Sequence, residues 1–291
     1  FFYGCGFDCF FCQNASHRRI AEAPAVSMDE LVGKALHNLR PAADLAMLAD
    51  VPQVDGYELA VHYAPHSGVS GDFYELTRLP DGRLLLMLGD VSGHGVQAAL
   101  VVATALKTLR LLSRQAKDLP SLFAALNDEL KGDLLPGQFI TCFGAAFDPL
   151  AHRLEVVLAG HHPLLVINPG DPVVIRKVGR KGMALGLIGG EMFRRSLQTE
   201  CVDLKPGDVA VQFTDGLFEA VNPDDEEYGE ARLMGSLLSR YGEGLQDLVD
   251  GAAGAVVEFA AGDPDDDLTL LAVGRLSEQQ QIDSGTYAPV P

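Results

Sequence analysis

An aspartate stands at the end of an apolar, strand-like run four times in this chain, and that recurrence limits its fold more than any other feature. Asp72 opens the run Phe73–Leu79, Asp90 closes Arg83–Gly89, Asp215 follows Asp208–Phe213, and Asp266 with Asp267 precedes Leu268–Arg275. A carboxylate at the end of a buried strand is costly unless something compensates it. Four such ends can converge at one edge of a layered sandwich, where hard divalent cations with oxygen ligands would neutralise them. One Asp-Gly at a strand end is more often a turn than a ligand, so the repetition carries the argument; spacing alone gives no more than a candidate pocket.

Further strands are predicted at Tyr57–Ala64, Phe139–Phe147, Arg153–Ala159, Pro163–Ile167 and Val173–Val178, from their alternating or continuous apolar residues. Pro80-Asp81-Gly82 and Asp148-Pro149 are turn signals that make their flanking strands antiparallel hairpins. Helical spacing marks Val96–Gln115, with Ala99, Ala103 and Leu106 on one face, and Ser121–Leu130, with Leu122, Leu126 and Leu130. Two more helices are predicted at Glu230–Tyr241 and Leu245–Ala260. Strand pairs, a central helix pair, more strands and then helices read as an α+β layered sandwich, without the alternation of a βαβ protein.

A net charge of −18, from 22 basic and 40 acidic residues, argues against a nucleic-acid backbone as ligand. It suits a cytoplasmic protein, a cation binder or both. The apolar stretch Ala98–Leu106 stops at Lys107, well short of the roughly 18 residues of a membrane span. No membrane insertion is therefore expected, and no secretory signal is visible. The start at Phe1 reads as that of a fragment. Of five cysteines, Cys142 and Cys201 lie alone in apparent strands, which suits reduced thiols.

At the strand-end acids the chain resembles the PPM family of metal-dependent protein phosphatases, in its SpoIIE/RsbU-like branch. Ser70-Gly71-Asp72-Phe73-Tyr74-Glu75 is similar to that branch's Gly-Gly-Asp-Phe-Tyr-Asp. Gly89 through Gly95 with Ala98-Ala99-Leu100, Ala159-Gly160-His161-His162-Pro163, Phe213-Thr214-Asp215-Gly216 with Glu219-Ala220, and Asp266-Asp267-Leu268-Thr269 match further motifs in order. The resemblance runs from about Pro41 to Leu276. It implies an αββα sandwich of two antiparallel sheets with a two-metal site at one edge. Asp90 would bridge two Mn2+ or Mg2+ ions, the Val91 carbonyl would be a further ligand, Asp215 and Asp266 would complete the set, and Asp72 would stand nearby or act through water. It also implies hydrolysis of phosphoserine or phosphothreonine on a regulatory protein, a STAS-type anti-sigma-factor antagonist, without a phosphoenzyme.

Ser70 and Glu75 depart from the first motif, and Glu75 is expected to alter the outer sphere of the site. Asp267 stands where relatives have Asp or Asn, and its contact with metal stays open. His94 and His161 are weighed as acids or ligands against the commoner reading of loop histidines, solvation or capping. Ser92 has no base signalled beside it and is not expected to be a nucleophile. A catalytically weak, phosphatase-like binding module is the alternative function.

Residues 1–26 form a separate zone, in which Cys5-x3-Cys9-x2-Cys12 resembles the 4Fe–4S-binding start of radical SAM enzymes. That resemblance covers only about the first 36 residues and lacks the barrel, so an inactive remnant is the favoured reading; zinc with His17 is an outside one. Residues 27–52 are predicted as a linker helix, opened by a Ser27/Glu30 capping box and carrying Leu31, Leu36, Leu39, Leu45 and Leu48, through which a homodimer could form. The catalytic domain is placed at 53–276 and a tail at 277–291.

Overall fold

A computed structural model describes residues 51–66, 68–277 and 279–280. The N-terminal cysteines and the linker helix from Ser27 lie outside the described residues, apart from Val51 and Pro52. The strands are β1 (Tyr57–Ala64), β2 (Asp72–Arg78), β3 (Leu84–Val91), β4 (Ile140–Asp148), β5 (Arg153–Ala159), β6 (Leu164–Asn168), β7 (Val174–Val178), β8 (Lys181–Gly182), β9 (Thr199–Asp203), β10 (Val209–Phe213) and β11 (Leu268–Arg275). The helices are α1 (Val96–Leu112, continued by a 3-10 turn Ser113–Gln115), α2 (Leu119–Leu130), α3 (Gly190–Ser196), α4 (Gly216–Glu219), α5 (Gly229–Arg240) and α6 (Leu245–Ala260).

One sheet has the order β1-β11-β10-β6-β7, and the other β2-β3-β4-β5 with β8 and β9 sharing the far side of β5. They pack face to face, with α1 and α2 outside the second sheet and α5 and α6 outside the first. Alternation along single strands builds the layers. In β3, Leu84, Leu86 and Leu88 enter the core between the sheets, while Leu85 and Met87 pack against α1 and α2. In β11, Leu271 and Val273 face the other sheet, and Leu268, Leu270 and Ala272 face α5 and α6. A strand buried on both faces must be apolar throughout, hence the unbroken runs in the sequence.

Both predicted hairpins are present. β2 and β3 pair antiparallel from Asp72↔Asp90 to Arg78↔Leu84, and their turn is closed by Gly82 N–H donating to Leu79 O at 3.0 Å. Asp148 Oδ1 accepts from the Leu150 and Ala151 amides at the β4–β5 turn. α2 starts two residues before its predicted Ser121, because Asp118 caps it by accepting from Ser121 N at 2.8 Å. The buried face of α1 also differs: it is Ala98, Val101, Val102, Ala105, Leu106 and Leu109, which turns Ala103 outward. The stretch Val96–Gln115 is long and apolar enough to cross a membrane by length and composition, yet that face is core.

Candidate active site

Register brings the acids together. Asp72 and Asp90 are directly opposed on β2 and β3, and Asp90 also faces Thr141 on β4. On the first sheet, β10 and β11 pair antiparallel as far as Phe213↔Leu270, so the end of β10 and the start of β11 coincide. Thr214 N–H donates to Thr269 O at 3.0 Å one step further on. Gly216 permits the final approach of Asp215 to Asp266 and Asp267: a Cβ there would lie 2.2 Å from Asp267 O and 3.4 Å from Asp266 Cβ. Gly71 is similarly confined, with the Val91 and Gly93 carbonyl oxygens each 3.3 Å from where its Cβ would stand. The same ends of the two sheets thus carry Asp72 and Asp90 from one side and Asp215 and Asp266 from the other.

The electrostatics register the crowding. Asp90 has its carboxyl pKa pushed up to about 8, first by burial and then by the charges of Asp215, Asp266, Asp267 and Glu219. Asp72 is raised well above its ordinary value by burial and by Asp90, against the opposing pull of two threonine hydrogen bonds. Asp266 is also raised, by desolvation and Asp215. None of the ion pairs among the described residues involves these carboxylates.

Asp72 and Asp267 are held differently. The Asp72 Oδ2 accepts from Thr214 Oγ1 at 2.7 Å and Thr269 Oγ1 at 2.5 Å, so a carboxylate of one sheet is tied to two hydroxyls of the other. Asp267 uses both oxygens on the loop before β2: Oδ1 accepts from His66 N at 2.8 Å, and Oδ2 from Ser70 Oγ at 2.7 Å and Gly71 N at 2.8 Å. Both its oxygens are engaged by the amides of this loop and the Ser70 hydroxyl, which makes it an anchor of the Asp72 loop. Ser70, where the resembling motif has glycine, extends this network by accepting from Asp72 N at 3.0 Å.

Glu75 corrects a sequence expectation. It lies on the helix-facing side of β2, and its Oε2 pairs with Arg110 Nε of α1 at 2.8 Å, away from the acid cluster. Its strand position, odd relative to Asp72, dictates that side. Ser92 accepts from Phe139 N through Oγ (2.9 Å) and donates its own N–H to Phe139 O (2.9 Å), a structural tie to the start of β4. His94 is exposed on the loop before α1. His161 is 1% exposed. Its Nε2 donates to the Phe213 carbonyl at 3.1 Å, which leaves Nδ1 to accept from Thr141 Oγ1 at 2.8 Å. Burial and the neighbouring His162 lower its pKa to about 3. A neutral ring with both nitrogens engaged is a staple between the sheets, neither an acid nor a ligand. Glu219, one α4 turn after Asp215, joins the cluster, and its carboxyl pKa is raised by burial, then by Asp215, Glu227 and Asp266; its place four residues after Asp215 at a helix start is the sequence signal for it.

Among the described residues no three His, Cys, Asp or Glu side chains already close to metal-binding distance. The donors nevertheless suit a hard divalent cation: they are carboxylates outside every ion pair among the described residues, and burial together with their mutual repulsion raises the Asp90 pKa to about 8.

The family model described as Stage II sporulation protein E (SpoIIE) matches residues 80–276. Protein IcfG of Synechocystis sp. is 24% identical over 259 residues, 77% of this chain, which spans only 39% of IcfG. The crystal structure of the RsbU and RsbW domains of a Mycobacterium tuberculosis protein is 26% identical with a TM-score of 0.66, covering 78% of this chain and 62% of that one. The SiaA-PP2C domain of Pseudomonas aeruginosa is 20% identical with a TM-score of 0.67, covering 85% of this chain and 98% of that one. The catalytic domain of the serine/threonine phosphatase PstP, solved with two manganese ions, shares the fold at a TM-score of 0.53. With about two thirds of its length matched by the family model, the chain belongs to the SpoIIE family, and it shares the fold of the PP2C phosphatase domains.

Proposed function

We propose that this chain hydrolyses phosphoserine or phosphothreonine on a regulatory protein, using two divalent cations, Mn2+ or Mg2+, held by its strand-end aspartates. The observation that carries the reading is the convergence of Asp90 with Asp215 and Asp266 across two sheets, with none of these carboxylates in an ion pair among the described residues. Asp90, opposed in register to Asp72, would hold the cations together with the Val91 carbonyl, Asp215 and Asp266. Asp72 serves from behind, tied to the opposite sheet. When bound, such cations offset charge on the phosphoryl oxygens and lower the pKa of a water. Hydrolysis joins the water oxygen to phosphorus, breaks the bond to the seryl or threonyl oxygen, and returns a proton to that oxygen. Ser92, engaged with Phe139 through both oxygen and amide, is placed for structure and not for attack, which favours water as the nucleophile.

The substrate we infer is an anti-sigma-factor antagonist of the STAS type. Support comes from a structural relative that joins an RsbU domain to an RsbW domain. Action in the cytoplasm and a homodimer formed through residues 27–52 belong to the same proposal. The test is phosphate release from a phosphorylated STAS protein with manganese, with magnesium and with chelator. Turnover with metal, abolished in Asp90→Asn, is the expected result; metal-independent turnover, or none with any phosphoprotein, would refute it.

A further inference from the structure

We propose that Thr214 and Thr269 are positioning residues that act as a pair, fixing Asp72 so that it can serve divalent-cation binding. This rests on the metal reading above and extends it to residues that carry no ligand atom themselves. Both hydroxyls reach the same oxygen, Asp72 Oδ2, at 2.7 and 2.5 Å, and neither goes to Oδ1. Thr214 Oγ1 also accepts from the Thr269 backbone N–H at 3.2 Å, which ties the two threonines to each other. Asp72 Oδ2 thus accepts twice over, and the pair holds in place a carboxylate that is only 3% exposed.

The covalent arrangement adds a coupling. Thr214 directly precedes Asp215, and Thr269 lies three residues after Asp266. The end of β10 and the start of β11 thus each deliver one proposed ligand to the site and one hydroxyl to the carboxylate of the other sheet. A shift of either strand end that displaced Asp215 or Asp266 would also loosen Asp72. Valine keeps the shape of threonine and removes the donor, leaving a buried oxygen with one partner fewer. Outer partners of this kind typically change metal affinity by about 10- to 100-fold.

The experiment is Mn2+ titration by calorimetry, with melting temperature in chelator measured in parallel. Thr214→Val and Thr269→Val are compared with Thr214→Ser and Thr269→Ser, each in the wild-type and the Asp72→Ala backgrounds. The valine variants should weaken Mn2+ binding by about tenfold each, and the serine variants should retain it within about twofold. With Asp72 replaced by alanine, the valine changes should have no further effect on affinity, although any cost to melting temperature persists. Should a valine variant fail to fold, Thr→Ala carries the same comparison, its smaller side chain leaving room for water. An equal loss of affinity in both backgrounds, or none in a folded protein, would overturn the proposal. Absence of Mn2+ binding by the wild type would instead refute the metal reading itself.

Discussion

Replacing Asp90 with Asn should stabilise the metal-free protein, and by an amount that grows with pH. The Asp90 carboxyl ionises near pH 8 in the fold against 3.8 for the free group. Between those values the folded protein keeps a proton that the unfolded chain has released. This group's contribution to stability is therefore intact below about pH 4 and is lost as pH rises toward 8, at up to about 1.4 kcal/mol per unit. For an isolated group the loss from pH 4 to pH 7 would be about 4 kcal/mol. The repulsion is shared with Asp215, Asp266, Asp267 and Glu219, each of which can relax, so a gain of about 2 kcal/mol from the neutral amide is the working figure. In a domain of this size that is about 4–8 °C in melting temperature.

The assay is a set of melts of both proteins in chelator from pH 4.5 to 8.5, repeated with millimolar manganese. The curves should converge at the acid end and separate progressively as pH rises above about 4, with the variant more stable. Manganese should then reverse the order. Wild type gains about 2.7 kcal/mol at one hundred times its dissociation constant, while the variant gains far less. An Asp90→Asn protein less stable than wild type at pH 8 in chelator, or a difference independent of pH, would refute the reasoning about the cluster.

Three further changes probe the surroundings of the acids. His161→Ala removes the partner of both Thr141 Oγ1 and the Phe213 carbonyl and should cost about 3–5 kcal/mol by urea unfolding. Because the His161 pKa falls to about 3, its neutral form supports the fold fully above about pH 6.5, and that support is lost as pH falls toward 3; the alanine variant should show a flatter acid limb. Asp267→Ala leaves the amides of His66 and Gly71 and the Ser70 hydroxyl without their acceptor, which should cost about 2–4 kcal/mol and speed hydrogen exchange at residues 66–72. Glu75→Ala breaks the pair with Arg110; a loss of about 1 kcal/mol with Mn2+ affinity unchanged within about twofold is expected, and a large drop in affinity would return Glu75 to the site.

The strands that position the acids were legible because they are buried on both faces. β1, β5 and β11 have the limits that their apolar runs indicate, and β3 differs by a residue or two at each end. What the sequence hid is marginal by the same measure. β9 buries only Val202 among its five residues, and α3 buries only Phe193 and starts at glycines, so neither carries a periodic signal. The buried face of α1 differs from its alanine spacing because alanine is small enough to sit on either side of a helix, and the longer Val101, Val102 and Leu109 decide it.

Within the site, residue type was readable and division of labour was not. Asp266 and Asp267 are adjacent and identical, yet one sits exposed at the rim while the other spends both oxygens on the loop that carries Asp72. Nothing in an Asp-Asp pair distinguishes them; both precede β11, and the bend there settles which one turns to the Asp72 loop. For Glu75 strand alternation decides. It lies three residues after Asp72, an odd step that turns it from the cleft to Arg110. Thr214 and Thr269 look like ordinary strand threonines until the two sheets are brought together, because their shared partner lies 142 and 197 residues away. The acids are thus a property of four strand ends, but their geometry is a property of the inter-sheet ties. A domain that kept every aspartate and lost the Thr214–Asp72–Thr269 and Thr141–His161–Phe213 connections would retain the motif and lose the alignment between its halves.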